Sequence, residues 1–442
     1  MQSTNPNKSR RRRIGLIAGM LVAAASLLLT ACTSGNQPAS TSAATSQKGV
    51  HLTFLNQSRG QEAALEYLVK EYKKKTGVTV TVNSPGPVDY LPKLQAMAQS
   101  KQMPDIYSAF NATSMAPFYK AGWAMDFTKE LKGSWGKDFS PAVIKMATFE
   151  KGNNLGVKPG IYTVHWETQS YGILADPDAS DISASNPPKT TTTLIKKLAA
   201  SNKAGKGGFS VAASVTPQLL QYVASNYLTD KQISNTFAGK YSWTSPGWKK
   251  AFQFLADLRD AGAIQNGALP GGQNDNPTVE TNFFTKHSVA AYFDGTPGVS
   301  VAHATAPDYT SYISLAVPKA PGAKYTPRAP GVPGKGAVIN PRGKHVDAAL
   351  DFVKWLTAPA QQKVFVDKAY IIPTNPKLLA SGSLPGPLQG FAASIKNLQV
   401  IPNTFSAPVT DAISRDAQQL VLGKMTVDQM ASDVQTAQDS SQ

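Results

Sequence analysis

The chain has 442 residues, with 44 Lys and Arg, 28 Asp and Glu, five His and one Cys, for a formal net charge of +16. That length suits two domains of ordinary size rather than one small core, and one cysteine excludes an internal disulfide. The basic residues are scattered in pairs and triplets along predicted helices, as in Lys73-Lys74-Lys75 and Lys196-Lys197. This reads as a solvated surface beside a polyanionic wall or membrane, not as a nucleic-acid site.

The first 31 residues read as a leader. Lys8 and Arg10 to Arg13 run into sixteen uncharged, mostly apolar residues, Ile14 to Leu29, and then Leu29-Thr30-Ala31-Cys32. Sixteen residues rising ~1.5 Å each span about 24 Å, short of a hydrocarbon layer of roughly 30 Å, so a cleaved signal fits better than a membrane span. Its removal takes five of the 44 basic residues and no acid, which lowers the net charge from +16 to +11. Residues 32–48 are dominated by Ser, Thr, Ala and Gln and read as a disordered tether.

Strand and helix patterns then alternate. His51 to Leu55 reads as a strand. Leu65, Leu68, Val69 and Tyr72 share one helix face, Gly77 ends that helix, and Val78, Val80 and Val82 alternate as a second strand. Asp89 to Met103 reads as an amphipathic helix and Pro104 to Tyr107 as a third strand, so a mostly parallel sheet wrapped by helices is expected. Helices are predicted near 188–202, 215–227 and 246–261, with Gly/Pro-rich breaks at 204–208 and 269–277. Further helices are predicted around Val346 to Leu356, at 408–422 and at 426–439. There is no internal repeat.

Enzyme signatures are mostly missing. There is no Gly-x-Ser-x-Gly elbow and no His-Glu-x-x-His, and the five histidines lack metal-ligand spacing, so neither a cofactor nor a metal is expected. Gly331 to Gly336 is too short between glycines for a phosphate loop and reads as a turn before the strand Ala337 to Ile339. A carboxylate pair for glycoside hydrolysis is a three-dimensional arrangement that no single stretch proposes.

Several stretches resemble one family. Leu29 to Cys32 resembles the bacterial lipobox, which implies diacylation of Cys32 and a lipid anchor on the outer face of the cell membrane. With Cys32 acylated, no thiol is left for a zinc site or a nucleophile. Met103-Pro104-Asp105-Ile106, Gly122 to Asp126, Lys286 to Thr296, Ala337 to Pro341, Ala348 to Leu356, Val400 to Phe405 and Gly423 to Met430 come in the order seen in extracellular solute-binding proteins of ABC importers. The likeness is to the carbohydrate-binding group that includes maltose-binding protein, and it covers about 50–439. Pro297 stands where the family often has a tryptophan, and Ser406-Ala407-Pro408 where maltose-binding protein has a sugar-stacking one.

The resemblance implies an α/β, type II two-lobe fold, with each lobe a mostly parallel sheet wrapped by helices. Lobe one is expected at 49–161 plus 296–345 and lobe two at 168–292 plus 355–442, with hinges near 162–167, 293–296 and 346–354. It implies a monomer that takes a sugar, an oligosaccharide by preference, between its lobes and passes it to a membrane permease without turnover. A polyamine or iron-complex binder, a secreted glycan hydrolase and an interaction protein that no longer uses its cleft stay open at this point.

Sugar faces stack on aromatic planes and sugar hydroxyls need amides, carboxylates or hydroxyls. The expected ligand residues are therefore His165, Trp166, Glu167 and Gln169 at the first crossover, with Trp166 and Glu167 foremost. Asn56 and Gln57 follow the first strand, and Phe110 and Asn111 the third. Asp294, Tyr292, Trp243, Asn403 and Phe405 complete the set.

Overall fold

A computed structural model describes residues 48–265, 275–381 and 384–441. The leader, Cys32 and nearly all of the tether lie outside the described residues, as does the 269–274 part of the second break.

Two sheets dominate. Their strands, in chain order, are β1 (His51–Leu55), β2 (Thr79–Asn83), β3 (Ile106–Ser108), β4 (Val164–His165), β5 (Tyr171–Ala175), β6 (Phe209–Val211), β7 (Ala291–Gly295), β8 (Ile313–Leu315) and β9 (Gly336–Ile339). The first sheet has the order β2-β1-β3-β9-β4; β1 is parallel to β2 and β3, and β9 runs antiparallel to β3 and β4. The second has the order β8-β5-β7-β6, with β7 parallel to β6 and antiparallel to β5. Side chains alternate across each sheet, as pleating requires. Leu52, Phe54, Ile106 and Ile339 enter one apolar layer, and Leu55, Tyr107 and Val338 the opposite one. In the second sheet Ile173, Val211 and Phe293 face one layer, Leu174 and Tyr292 the other.

The helices form where the spacing predicts. Glu62–Thr76 buries Leu65, Leu68 and Tyr72 and closes on Gly77 with φ of 79°. This left-handed position suits a residue without Cβ. Thr191–Lys203, Pro246–Asp260, Val346–Leu356, Ala407–Val421 and Val427–Asp439 follow the apolar stripes, and Thr426 opens the last helix with a capping box. The helices Asp230–Phe237, Asp275–Phe284, Pro297–Thr305 and Pro359–Ala369 lack a long apolar period and were not predicted.

The division between lobes differs from the expected one. Strand β8 pairs with β5, and Val299 and Ala302 of the helix Pro297–Thr305 pack with Phe283 and Tyr292. Residues 297–315 therefore belong with the second sheet, not with lobe one. Conversely, Ala348, Ala349, Phe352, Val353, Leu356, Phe365 and Val366 bury against Leu65, Leu68 and Tyr72. The segment 346–354 is thus first-lobe helix, not hinge, and 355–371 joins lobe one because its apolar stripe is covered there.

Three segments pass between the lobes: 166–170, 316–335 and 370–375. They run side by side over part of their length, through the antiparallel pairing of Thr168 and Gln169 with Pro333 and Val332, the bridge Glu167–Pro373 and the bond from Thr168 N to Ile372 O at 2.8 Å. The expected crossover at 162–167 overlaps the first of them; the one at 293–296 is the end of β7, where Thr296 N donates to Ser170 O at 3.0 Å.

Beside these segments the backbones of the two lobes almost touch. A Cβ on Gly60, whose φ is 76°, would lie 2.5 Å from the carbonyl carbon of Ser300. Gly60→Ala should therefore cost about 2 kcal/mol through overpacking and backbone strain, read as a lower thermal midpoint.

Candidate functional site

Loops at the carboxyl ends of β1 and β3 meet loops of the second lobe, as ligand sites of open α/β sheets do. After β1 the chain turns through Asn56 to Arg59. Asn56 is spent on this turn: its Oδ1 accepts from Ser58 N at 3.0 Å and Ser108 Oγ at 3.2 Å, and its Nδ2 donates to Ser84 Oγ at 3.1 Å. Gln57 accepts from Lys335 Nζ at 3.1 Å. After β3, Phe110 is half-buried beside Tyr90, and exposed Asn111 caps the helix Ala112–Lys120 by accepting from Ser114 N at 2.9 Å.

The crossover residues are structural. Trp166 is 0% exposed, lies parallel to Phe365 at 5.3 Å and donates from Nε1 to Gln61 Oε1 at 2.8 Å. Its ring fills the first core and has no open face for a sugar, against the expectation. Glu167, also buried, accepts from Gln61 Nε2 at 2.9 Å and Lys335 N at 3.2 Å, which ties β1's loop to the crossing segments. Burial pushes its carboxyl up, opposed by Lys335, whose amine burial pushes down. His165 lies between Thr163 Oγ1 at 2.6 Å and Gly334 O at 2.8 Å, and burial lowers its pKa to about 4. The ring is therefore neutral, with Nδ1 donating to the carbonyl and Nε2 accepting from the hydroxyl. Gln169 is half-buried over Gly295.

Three expected aromatics also belong to cores. Trp243 and Phe405 pack with Phe237 and Trp248, and Tyr292 with Phe283. Large rings gain more from full burial than from an open cleft, which overturns their expected ligand role.

Charge gathers where the lobes meet. Arg59 of the first lobe pairs with Glu280 of the second, which is 3% exposed and accepts at Oε1 from Asn276 Nδ2 at 3.2 Å. Asp294, 4% exposed, accepts at Oδ1 from Gly295 N at 2.7 Å. A Cβ on Gly298 would lie 2.5 Å from Asp294 Oδ2 and 3.0 Å from the Tyr292 hydroxyl, so this glycine leaves room for both. Burial first and the charge of Glu280 second push Asp294 up to about 8, so it holds a proton at neutral pH.

A second set of bonds joins the two lobes. Thr113 Oγ1 donates to Phe405 O at 2.7 Å. Asn154 Nδ2 donates to Thr404 O at 2.6 Å and Phe237 O at 3.0 Å, while Asn403 Oδ1 accepts from Asn154 N at 3.2 Å. Of the expected residues, the structure thus leaves Gln57, Phe110, Asn111, Gln169 and Asn403 at or near the inter-lobe space. Arg59, Glu280, Lys335, Thr113 and Asn154 were missed. Arg59 directly follows the Asn56–Ser58 loop and was within reach of the same argument; the others carry no local signal. Among the described residues, no group of three His, Cys, Asp or Glu side chains could hold a metal ion.

The fold has known counterparts. MalX from Streptococcus pneumoniae in complex with maltopentaose matches with a TM-score of 0.68 at 21% identity, over 88% of this chain and 100% of that one. The maltose/maltodextrin-binding domain MalE from Bdellovibrio bacteriovorus, bound to maltotriose, matches with 0.68 at 18% identity, over 88% and 99%. In sequence, a maltooligosaccharide ABC transporter solute-binding lipoprotein of Streptococcus pneumoniae (strain ATCC BAA-255 / R6) is 26% identical over 403 residues, 86% of each chain. A model of the family described as bacterial extracellular solute-binding protein matches residues 67–385. With that match covering most of its length, the chain belongs to the bacterial extracellular solute-binding proteins.

Proposed function

We propose that the protein captures a neutral sugar, an oligosaccharide by preference, between its lobes and delivers it unchanged to an ABC permease. The observation that carries the reading is the state of the charges where the lobes meet. Arg59 is matched by Glu280, Lys335 lies against Gln57 in the field of Glu167, and Asp294 keeps its proton. A uronate would need a free cation there and a polyamine several free carboxylates. A neutral polyol needs only the amides of Gln57, Asn111, Gln169 and Asn403 with the ring of Phe110. The maltooligosaccharide names of the relatives support the same ligand class. Glu280 and Asp294, the carboxylates gathered where the lobes meet, are 3% and 4% exposed, which supports binding without turnover. The lipobox-like Leu29 to Cys32 supports a lipid anchor on the outer face of the membrane.

The test is thermal unfolding against maltotriose, maltopentaose, other neutral oligosaccharides, uronates and polyamines. At a hundredfold excess over Kd a ligand adds about 2.7 kcal/mol to stability. Neutral oligosaccharides should raise the midpoint; a shift with polyamine or uronate alone would replace the ligand class.

A further inference from the structure

We infer that Asn154 is an affinity-setting positioning residue, a latch that joins the first lobe to the 400–406 tail loop of the second and holds the cleft shut. The inference rests on the inter-lobe space being the ligand site.

Asn154 sits in the 150–159 loop, whose Leu155 and Val157 pack with Tyr107 and Tyr119 of the first lobe. Its neighbour Asn153 fixes the loop by donating to Glu150 O at 2.8 Å and Val157 O at 2.7 Å. The groups that Asn154 meets are all in the second lobe. Both amide hydrogens are used, on Thr404 O at 2.6 Å and Phe237 O at 3.0 Å. Its Oδ1 accepts from Thr404 N at 3.2 Å, and its own N–H goes to Asn403 Oδ1 at 3.2 Å. One residue thus makes four bonds across the cleft. Phe237 and Phe405, on either side of these partners, are anchored in the second core.

The chemistry separates this role from ligand contact. With both donors spent on backbone carbonyls, Asn154 offers no N–H to a sugar. It acts through the tail loop, which it holds in the position where Asn403, itself bonded to Ser234 Oγ at 3.0 Å, borders the cleft. Opening that parts the 150–159 loop from Asn403 and Thr404 breaks these bonds, so they favour the closed arrangement. Apparent affinity falls in proportion to the loss of the competent state. Thr113, which donates to Phe405 O at 2.7 Å from another first-lobe element, is a second and weaker catch on the same loop.

The test compares the wild type with Asn154→Asp, Asn154→Ala and Thr113→Val. Asn154→Asp keeps the shape but turns a donor pair into a carboxylate facing two carbonyls. Small-angle X-ray scattering of the unliganded proteins should give the closed dimensions for the wild type and a larger radius of gyration for the variants, largest for Asn154→Asp. With maltopentaose as the probe, the Asn154 variants should release sugar about tenfold faster, with association changed by less than about threefold. A merely structural role would lower the thermal midpoint and leave the radius and the release rate unmoved, and that result overturns the latch. Equal radii in the wild type and all three variants overturn it as well. If maltopentaose does not bind the wild type, the sugar reading fails, and the scattering comparison alone decides the latch.

Discussion

Replacing Trp166 with alanine should lower the unfolding free energy by about 3–5 kcal/mol, the range for emptying a large buried aromatic site. The indole is fully enclosed, stacks on Phe365 and satisfies Gln61, whose other end holds Glu167. The cavity and the orphaned Gln61 carbonyl act together, and both lie in the first core. Chemical denaturation with an unchanged m-value reads the loss. Ligand affinity, measured well below the lowered midpoint, should stay within about threefold of wild type. A variant of normal stability that no longer binds sugar would return Trp166 to the cleft.

The second large effect is a dependence of stability on pH. Asp294 titrates near 8 when folded and near 3.9 when unfolded. Between those values the folded chain holds a proton that the unfolded chain has released, so stability falls as pH rises. His165 works in the opposite sense. Its folded pKa of about 4 lies below the unfolded value of ~6.5, so its contribution grows with pH up to ~6.5 and then stops. Above that point His165 no longer opposes Asp294, whose charged and titratable neighbours are Glu280, Arg59, Tyr292 and Tyr171. From pH 6.5 to 8 the protein should lose up to about 2 kcal/mol, at ~1.4 kcal/mol per pH unit. Asp294→Asn removes this contribution, so its stability should fall less steeply than that of the wild type over this range. Parallel curves for the two proteins would show that Asp294 is already ionised when folded.

The fold was legible because its elements announce themselves locally. Leu65, Leu68 and Tyr72 mark a helix that Gly77 ends, and Val78 and Val80 the strand beyond it. The helices that the reading passed over are those whose buried residues come without a clean period. Pro297–Thr305 is an example: it starts on Pro-Gly and buries small residues against another element. The lobe boundaries failed for a related reason. Whether Phe365 covers the first or the second sheet depends on partners some 300 residues away in the chain, Leu65 and Leu68.

The site was less legible, because residue type does not tell a ligand aromatic from a core aromatic. Trp166, Trp243 and Tyr292 satisfy the requirements of a sugar platform, yet each finds a better-packed place inside a lobe. What the sequence could locate was loops: Asn56 to Ser58, Phe110 and Asn111, and Asn403 all lie beside the residues that bond across the cleft. The bonding partners themselves, Arg59 with Glu280 and Asn154 with Thr404, are 221 and 250 residues apart, and no local pattern pairs them.

We propose that the lobes close on a neutral oligosaccharide and release it intact. Calorimetric titration of the protein with maltopentaose, followed by chromatography of the recovered sugar, tests it most directly. One site is expected, with saturable binding, a negative heat-capacity change as the sugar's apolar faces are buried, and quantitative recovery of the pentamer. Shortened products accumulating with time would make the protein a hydrolase, and absence of heat with every neutral oligosaccharide would contradict the sugar reading.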